Sequence, residues 1–147
     1  MTDAQNLLKD LYSAIAKRET EKAKEFFKQD PALLRVNTPN GTWLHVAARS
    51  GDSAMVKYLV EAGLDVNATE ARGGSAPIDF AASEGFIDIV KYLLSCGATL
   101  DVSKPECNPL FAAIHGNHIE IVKLLVEHGI DFSVDYGGKN AITFAKS

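Results

Sequence analysis

The sequence predicts an all-α repeat solenoid, a stack of short helix-turn-helix units, and three observations carry the prediction. First, Leu44, Ile78, Leu110 and Ile142 recur at steps of 34, 32 and 32 residues, and Gly63, Gly97 and Gly129 keep the matching steps. Second, VKYLVEAG, VKYLLSCG and VKLLVEHG, beginning at Val56, Val90 and Val122, are near-duplicates. Third, each unit carries two apolar stripes at helical spacing, as in Leu44, Ala47 and Ala48 followed by Met55, Val56, Leu59 and Val60. Gly51 separates those two helices and Gly63 follows the second, where a left-handed C-cap belongs. Neither helix is long enough to stand alone in water, so the units must stack on one another.

The first copy is degenerate. Going back 33 positions from the second, Leu11, Ala14, Ile15, Ala23, Phe26 and Phe27 take the slots of Leu44, Ala47, Ala48, Val56, Leu59 and Val60. Thr2 or Asp3 caps its first helix, with Gln5 three residues after Thr2 as in a capping box, and a second helix runs from about Glu19 to Gln29. Its outward face is rich in Lys and Glu, as expected of a terminal repeat with one wetted side. Asp30-Pro31 opens a short helical turn through Leu33 or Leu34. The copies then divide as 1–36, an N-terminal cap, 37–68, 69–101, 102–133, and a partial C-terminal copy at 134–147. The last copy ends after its first helix at Ser147, which reads as a frayed end, a truncation or an edge used by a partner.

The units carry Thr42-Trp43-Leu44-His45-Val46-Ala47-Ala48, Ala76-Pro77-Ile78-Asp79-Phe80-Ala81-Ala82 and Asn108-Pro109-Leu110-Phe111-Ala112-Ala113-Ile114, with the fragment Asn140-Ala141-Ile142-Thr143-Phe144-Ala145 closing the chain. A period near 33 built on TPLHxAA, a glycine, a VxxLL run and a second glycine resembles the ankyrin repeat, over nearly the whole chain. The resemblance implies that the turn-rich segments between copies form β-hairpin fingers set roughly at right angles to the helices. Three departures stand out. Trp43 replaces the proline that usually opens the first helix, Asp79 and Phe111 replace the motif histidine, and Asn117 replaces the helix-breaking glycine, asparagine being tolerant of a left-handed backbone.

Composition bounds the function. Hydrophobic residues make up 46% of the 147, an ordinary globular share. No apolar run approaches the roughly 20 residues that span a bilayer, and no basic-then-apolar leader opens the chain, so the expected compartment is the cytoplasm and no membrane partner is expected. Cys96 and Cys107 offer no CxxC and are expected to be reduced thiols rather than a disulfide. A formal charge of −4 with no basic stripe argues against nucleic acid.

No chemical site is legible. His115, His118 and His128 fall on different elements, with no carboxylate or cysteine recurring at ligand spacing, so no metal is expected. His45 fills the structural motif slot, and Glu25, Glu61, Glu84 and Glu127 read as solvated helix charges. Gly73-Gly74 and Gly137-Gly138 lie in finger turns rather than between a strand and a helix, so no phosphate loop and no cofactor are expected. The chain is expected not to be an enzyme.

Recognition is what remains. The resemblance implies that a protein partner is bound through finger tips and the concave ends of the first helices, and that the chain is a monomer. Carried onto this sequence, the candidate contact residues are Trp43, Arg49, Ser50, Arg72, Ser75, Ser83, Glu84, Lys104, His115, Tyr136 and Lys139. Trp43 keeps two readings, a ring packed between the first two copies or an exposed aromatic anchor. Arg49, Arg72, Lys104 and Lys139 place cations on this row of an acidic chain, which points to an acidic patch on the partner. Two function classes stay open: a scaffolding module, and a stoichiometric inhibitor or toxin-immunity protein that occludes a cognate enzyme.

Overall fold

A computed structural model of the chain describes residues 2–146. Met1 and Ser147, which bound the first and last sequence copies, lie outside the described residues. The chain forms nine α-helices among the described residues: α1 (Asp3–Ala16), α2 (Thr20–Gln29), α3 (Trp43–Ser50), α4 (Ser53–Glu61), α5 (Pro77–Glu84), α6 (Ile87–Ser95), α7 (Pro109–His115), α8 (Ile119–Glu127) and α9 (Ala141–Lys146). Short 3-10 turns fill Pro31–Arg35 and Pro105–Cys107. The first helices α1, α3, α5, α7 and α9 stack in sequence. The second helices α4, α6 and α8 approach one another less closely. No helix among the described residues is long and apolar enough to cross a membrane.

One slot in each copy starts the first helix. The Thr2 backbone N–H donates to Gln5 Oε1 at 2.8 Å and Thr2 Oγ1 accepts from Gln5 N at 3.1 Å, a reciprocal capping box. In the later copies the residue three after the cap turns back to the cap N–H: His45 Nδ1 accepts from Thr42 N at 3.0 Å, Asp79 Oδ2 from Ala76 N at 2.8 Å, and Thr143 Oγ1 from Asn140 N at 3.0 Å. Phe111 cannot do this, and there the Asn108 side chain caps Leu110 N at 2.9 Å instead.

A second slot ends the first helix with a left-handed residue. Gly51 (φ 82°), Gly85 (φ 87°) and Asn117 (φ 60°) occupy it, and Arg18 (φ 60°) fills it in the degenerate first copy. At Gly51 the next copy also presses in, since a Cβ there would lie 2.6 Å from the Phe86 ring. Gly51→Ala combines a left-handed L-residue with that overlap and is expected to cost about 2 kcal/mol, read as a lower midpoint in urea unfolding.

The apolar stripes close into one continuous core from Leu11 to Ile130. Within it the first copy departs from the simple slot assignment, because Phe27 is buried while Phe26 is only half-buried. The Phe27 ring stacks on Tyr58 at 6.1 Å and meets Trp43 edge-on at 6.4 Å, an aromatic contact that aliphatic residues in the later copies do not need.

Between the copies the loops are tight turns, without named strands among the described residues. Among the described residues the β-pairing is a single bridge, Thr38 with Gly41, and the second finger closes through Glu70 N to Ser75 O at 3.0 Å. Side chains fasten each turn to the next. Asn67 Nδ2 donates to Gly97 O at 3.1 Å while its Oδ1 accepts from Thr99 N at 2.8 Å, and Arg35 donates to Gly63 O at 3.2 Å. These bonds fix the spacing along the row and so position the surface described next.

Candidate protein-binding surface

The motif histidine holds the centre of this surface. His45 is buried, with Nδ1 accepting from Thr42 N and Nε2 2.9 Å from Ser75 O, an arrangement that requires the proton on Nε2. Burial pulls its pKa below the ordinary 6.5, against the opposing pull of the Ser75 and Ala68 backbone and the Glu70 charge, so the ring stays neutral in the folded chain. Its edge meets Phe80 of α5 at 5.8 Å, and on the outer face of that ring lies the Arg49 guanidinium, 4.4 Å from the centroid.

The second finger closes over this group. Glu70 is almost fully buried, and its carboxylate accepts from Arg72 N at 2.8 Å, Gly73 N at 2.7 Å and Ser75 N at 3.1 Å. Burial by itself would raise its pKa; the hydrogen bonds from Ser75, Gly73 and Arg72 N–H outweigh burial and hold it below the ordinary carboxylate value. The finger is thus wound around an ionised carboxylate, with the Arg72 side chain exposed at its tip. Asn40, Arg49, Glu70, Arg72, Ser75 and Phe80 line a cleft of about 200 Å3. Neither Arg49 nor Arg72 has a carboxylate within ion-pair distance among the described residues.

Two further depressions flank it. Toward the N-terminus, Leu8, Tyr12, Val36, Pro39 and Trp43 line an apolar cleft of about 260 Å3 with Lys9 on its rim. Toward the C-terminus, Glu106, Phe111, Ala112, His115 and Phe144 border one of about 270 Å3, where the Phe111 and Phe144 rings stack at 4.8 Å. Metal chemistry has no donor set here, since among the described residues no three His, Cys, Asp or Glu side chains converge.

The sequence-predicted row divides when placed on the fold. Arg49, Arg72, Glu84, Lys104, His115 and Lys139 are exposed, and Ser50 and Ser83 are half-buried. Ser50 Oγ is spent on Val46 O of its own helix at 2.7 Å, and Ser83 O accepts from His118 Nε2 at 2.9 Å. Two residues leave the row as corrections. Trp43 is completely buried, its indole N–H donating to Leu33 O at 2.7 Å, so it is not an exposed anchor. Ser75 is buried because its Oγ reaches across to Glu106 O of the third finger at 3.2 Å. Tyr136 is half-buried with its hydroxyl committed, donating to Val102 O and accepting from Asn108 Nδ2. Sequence reasoning missed Phe80, Glu70 and Asn40. Their only sequence signals are an aromatic two residues before the paired alanines' end, a glutamate ahead of Gly73-Gly74, and an asparagine before Gly41.

A stack of helix pairs joined by fastened turns, presenting varied side chains along one row, defines a repeat solenoid. The chain matches the family model of ankyrin repeats in three copies over residues 11–104 and again over 78–147, and it belongs to the ankyrin-repeat family. Repeats of this family are protein-protein interaction modules. The chain is 30% identical to a putative ankyrin repeat protein of Acanthamoeba polyphaga mimivirus, over 91% of this chain and 18% of that protein. It is 33% identical to ankyrin repeat and SAM domain-containing protein 6 of Rattus norvegicus, over 94% of this chain and 16% of that protein. It is 31% identical to protein phosphatase 1 regulatory subunit 27 of Homo sapiens, over 75% of this chain and 71% of that protein. The chain thus spans less than a fifth of the first two relatives and most of the third.

Proposed function

We propose that this chain is a non-enzymatic recognition module of the cytoplasm that, as a monomer, binds a protein partner on its concave row of first-helix ends and fingers, against an acidic patch. The observation that carries the reading is the Arg49–Phe80–Arg72 cleft. The Arg49 guanidinium lies over the Phe80 ring and the Arg72 side chain is exposed at the finger tip, neither with a carboxylate within ion-pair distance among the described residues, in a chain whose formal charge is −4. An arginine held over a ring, as Arg49 is, offers directed hydrogen bonds at low ordering cost, the profile of an interface anchor. Lys104, His115 and Lys139 extend the exposed row, with Ser50, Ser83, Glu84 and Tyr136 between them.

A second reading is that the partner is an enzyme restrained by the bound stack, as an inhibitor or immunity protein would act. It is favoured by the likeness to a protein named as a regulatory subunit of a phosphatase, most of whose length this chain covers.

Affinity capture from a lysate of the source organism tests the proposal, comparing the wild-type chain with an Arg49→Glu, Arg72→Glu variant of equal melting temperature. One protein is expected to be retained by the wild type and weakened at least about tenfold by the variant, and more weakly held as salt rises. Equal retention by both, insensitive to salt, would move the site off this row. If the retained protein is an enzyme whose activity falls on stoichiometric addition of the chain, the inhibitory reading holds; unchanged activity leaves the scaffolding one.

A further inference from the structure

From the two adjoining clefts we infer that the occupant is an extended peptide segment of the partner, carrying an Asp or Glu carboxylate on Arg49 and Arg72 and an apolar side chain three residues away in the N-terminal cleft. The inference rests on the proposed binding surface and adds to it the chemistry and the spacing of what binds.

The charge of the cleft selects a monoanion. Arg49 and Arg72 contribute two positive charges, and the ionised Glu70 carboxylate, already satisfied by three N–H donors, contributes one negative. The sum of one positive charge is neutralised by a carboxylate and overfilled by a phosphate dianion. The position of Arg49 suits a carboxylate. The Arg49 guanidinium carbon lies 4.4 Å from the Phe80 ring centroid, and a guanidinium held over a ring can grip a carboxylate with two parallel N–H bonds.

The neighbouring cleft selects what lies next along the segment. Leu8, Tyr12, Val36 and Pro39 give it an apolar wall, and Lys9 at the rim disfavours a second cation. The two clefts share a divider, since Asn40 of the charged cleft donates through Nδ2 to Tyr12 Oη of the apolar one at 2.9 Å. They are one copy apart along the stack of α1, α3 and α5, and packed helices lie about 8–10 Å from axis to axis. A polyproline II segment turns once in three residues and advances about 3.1 Å per residue, so residues i and i+3 or i−3 lie on one face about 9 Å apart and reach both clefts.

The test uses fluorescent nine-residue peptides in a positional-scanning library, with one fixed position occupied in separate arms by Asp or Glu, phosphoserine, Lys, or Ala, and with Leu scanned along the other positions. Binding to the full chain is read by fluorescence anisotropy. The Asp and Glu arms are expected to bind at least about tenfold more tightly than Lys or Ala, with Leu preferred three positions away. Arg49→Gln with Arg72→Gln is expected to erase the acidic preference, and Leu8→Ser the apolar one. A tighter phosphoserine arm would overturn the carboxylate, and a different Leu spacing the extended geometry. If no arm binds while the partner captured above still depends on Arg49 and Arg72, the surface stands and the linear-segment inference fails. If capture itself ignores both arginines, the underlying reading fails with it.

Discussion

Trp43→Ala is expected to lower the stability of the chain by about 4 kcal/mol, the largest effect of any single truncation along the stack. The residue opens α3 in the slot where Pro77 and Pro109 open α5 and α7, yet its ring runs backward into the first copy. It is wholly buried, lies edge-on to Phe27, and donates its indole N–H to Leu33 O in the 3-10 turn after α2. Removing it opens a cavity the size of an indole and takes from Leu33 O the shorter of its two hydrogen bonds, leaving only that from Val36 N at 3.2 Å. In a solenoid each copy contacts only its neighbours, so the loss falls on one interface and uncouples the N-terminal copy. Urea unfolding of Trp43→Ala should show an early loss of helix followed by the main transition. Trp43→Phe separates the two contributions, since it keeps most of the ring volume and discards only the bond to Leu33 O. A loss below about 1 kcal/mol for the alanine variant would contradict this placement of the side chain.

Asp79→Asn should flatten the dependence of stability on pH. Asp79 is buried, its Oδ1 has no hydrogen-bond partner, and its pKa is raised from 3.8 to about 8. Burial is the chief cause and the Asp101 charge adds to it, while the bond from Ala76 N works in the opposite direction. Between those two values the folded chain keeps the proton and the unfolded chain has released it. The unfolded state therefore binds fewer protons, and stability falls as pH rises, by about 1.4 kcal/mol per pH unit at most, levelling off above about 8. Asparagine reproduces the shape of the neutral acid, keeps an oxygen for Ala76 N, and cannot ionise. The variant should match the wild type near pH 4 and exceed it increasingly toward pH 8 in denaturant midpoints. Parallel profiles for the two would show that Asp79 ionises freely in the folded chain. His45 works with the opposite sign, since its lowered pKa makes stability fall as pH drops through the histidine range; that contribution is common to both chains and cancels in the comparison.

These two residues also mark how far the sequence could be read. The helices and their stacking order were legible because each copy repeats the same apolar spacing, and a rule stated four times is hard to misread. The capping slot was legible in position but not in mechanism: His45, Asp79 and Thr143 look unrelated as residue types, yet each turns back to the same cap N–H. What stayed hidden depended on contacts between copies. Nothing local marks Ser75 as buried, since its cover is the Glu106 carbonyl of the next finger, and nothing local commits the Tyr136 hydroxyl to Val102 and Asn108. The Phe27 ring takes the deep position over Phe26 because Trp43 and Tyr58 are there to receive it. The Glu70 clamp escaped notice for a related reason, because a glutamate in a turn ordinarily faces water. Charge and slot single out Arg49 and Arg72 as candidates in the sequence, and the Phe80 ring beside Arg49 emerged only when α3 and α5 were packed together.

The central claim is that a partner docks on the first-helix and finger side of the stack, and site-specific photocrosslinking tests it most directly. A benzophenone side chain would be placed in turn at Glu84 and His115, exposed on the first-helix row, and at Lys57 and Lys91, exposed on the second helices α4 and α6. On irradiation with the captured partner, Glu84 and His115 are expected to give one adduct of common mass, and Lys57 and Lys91 none. Adducts from Lys57 and Lys91 with none from Glu84 or His115 would place the partner on the opposite face and contradict the account.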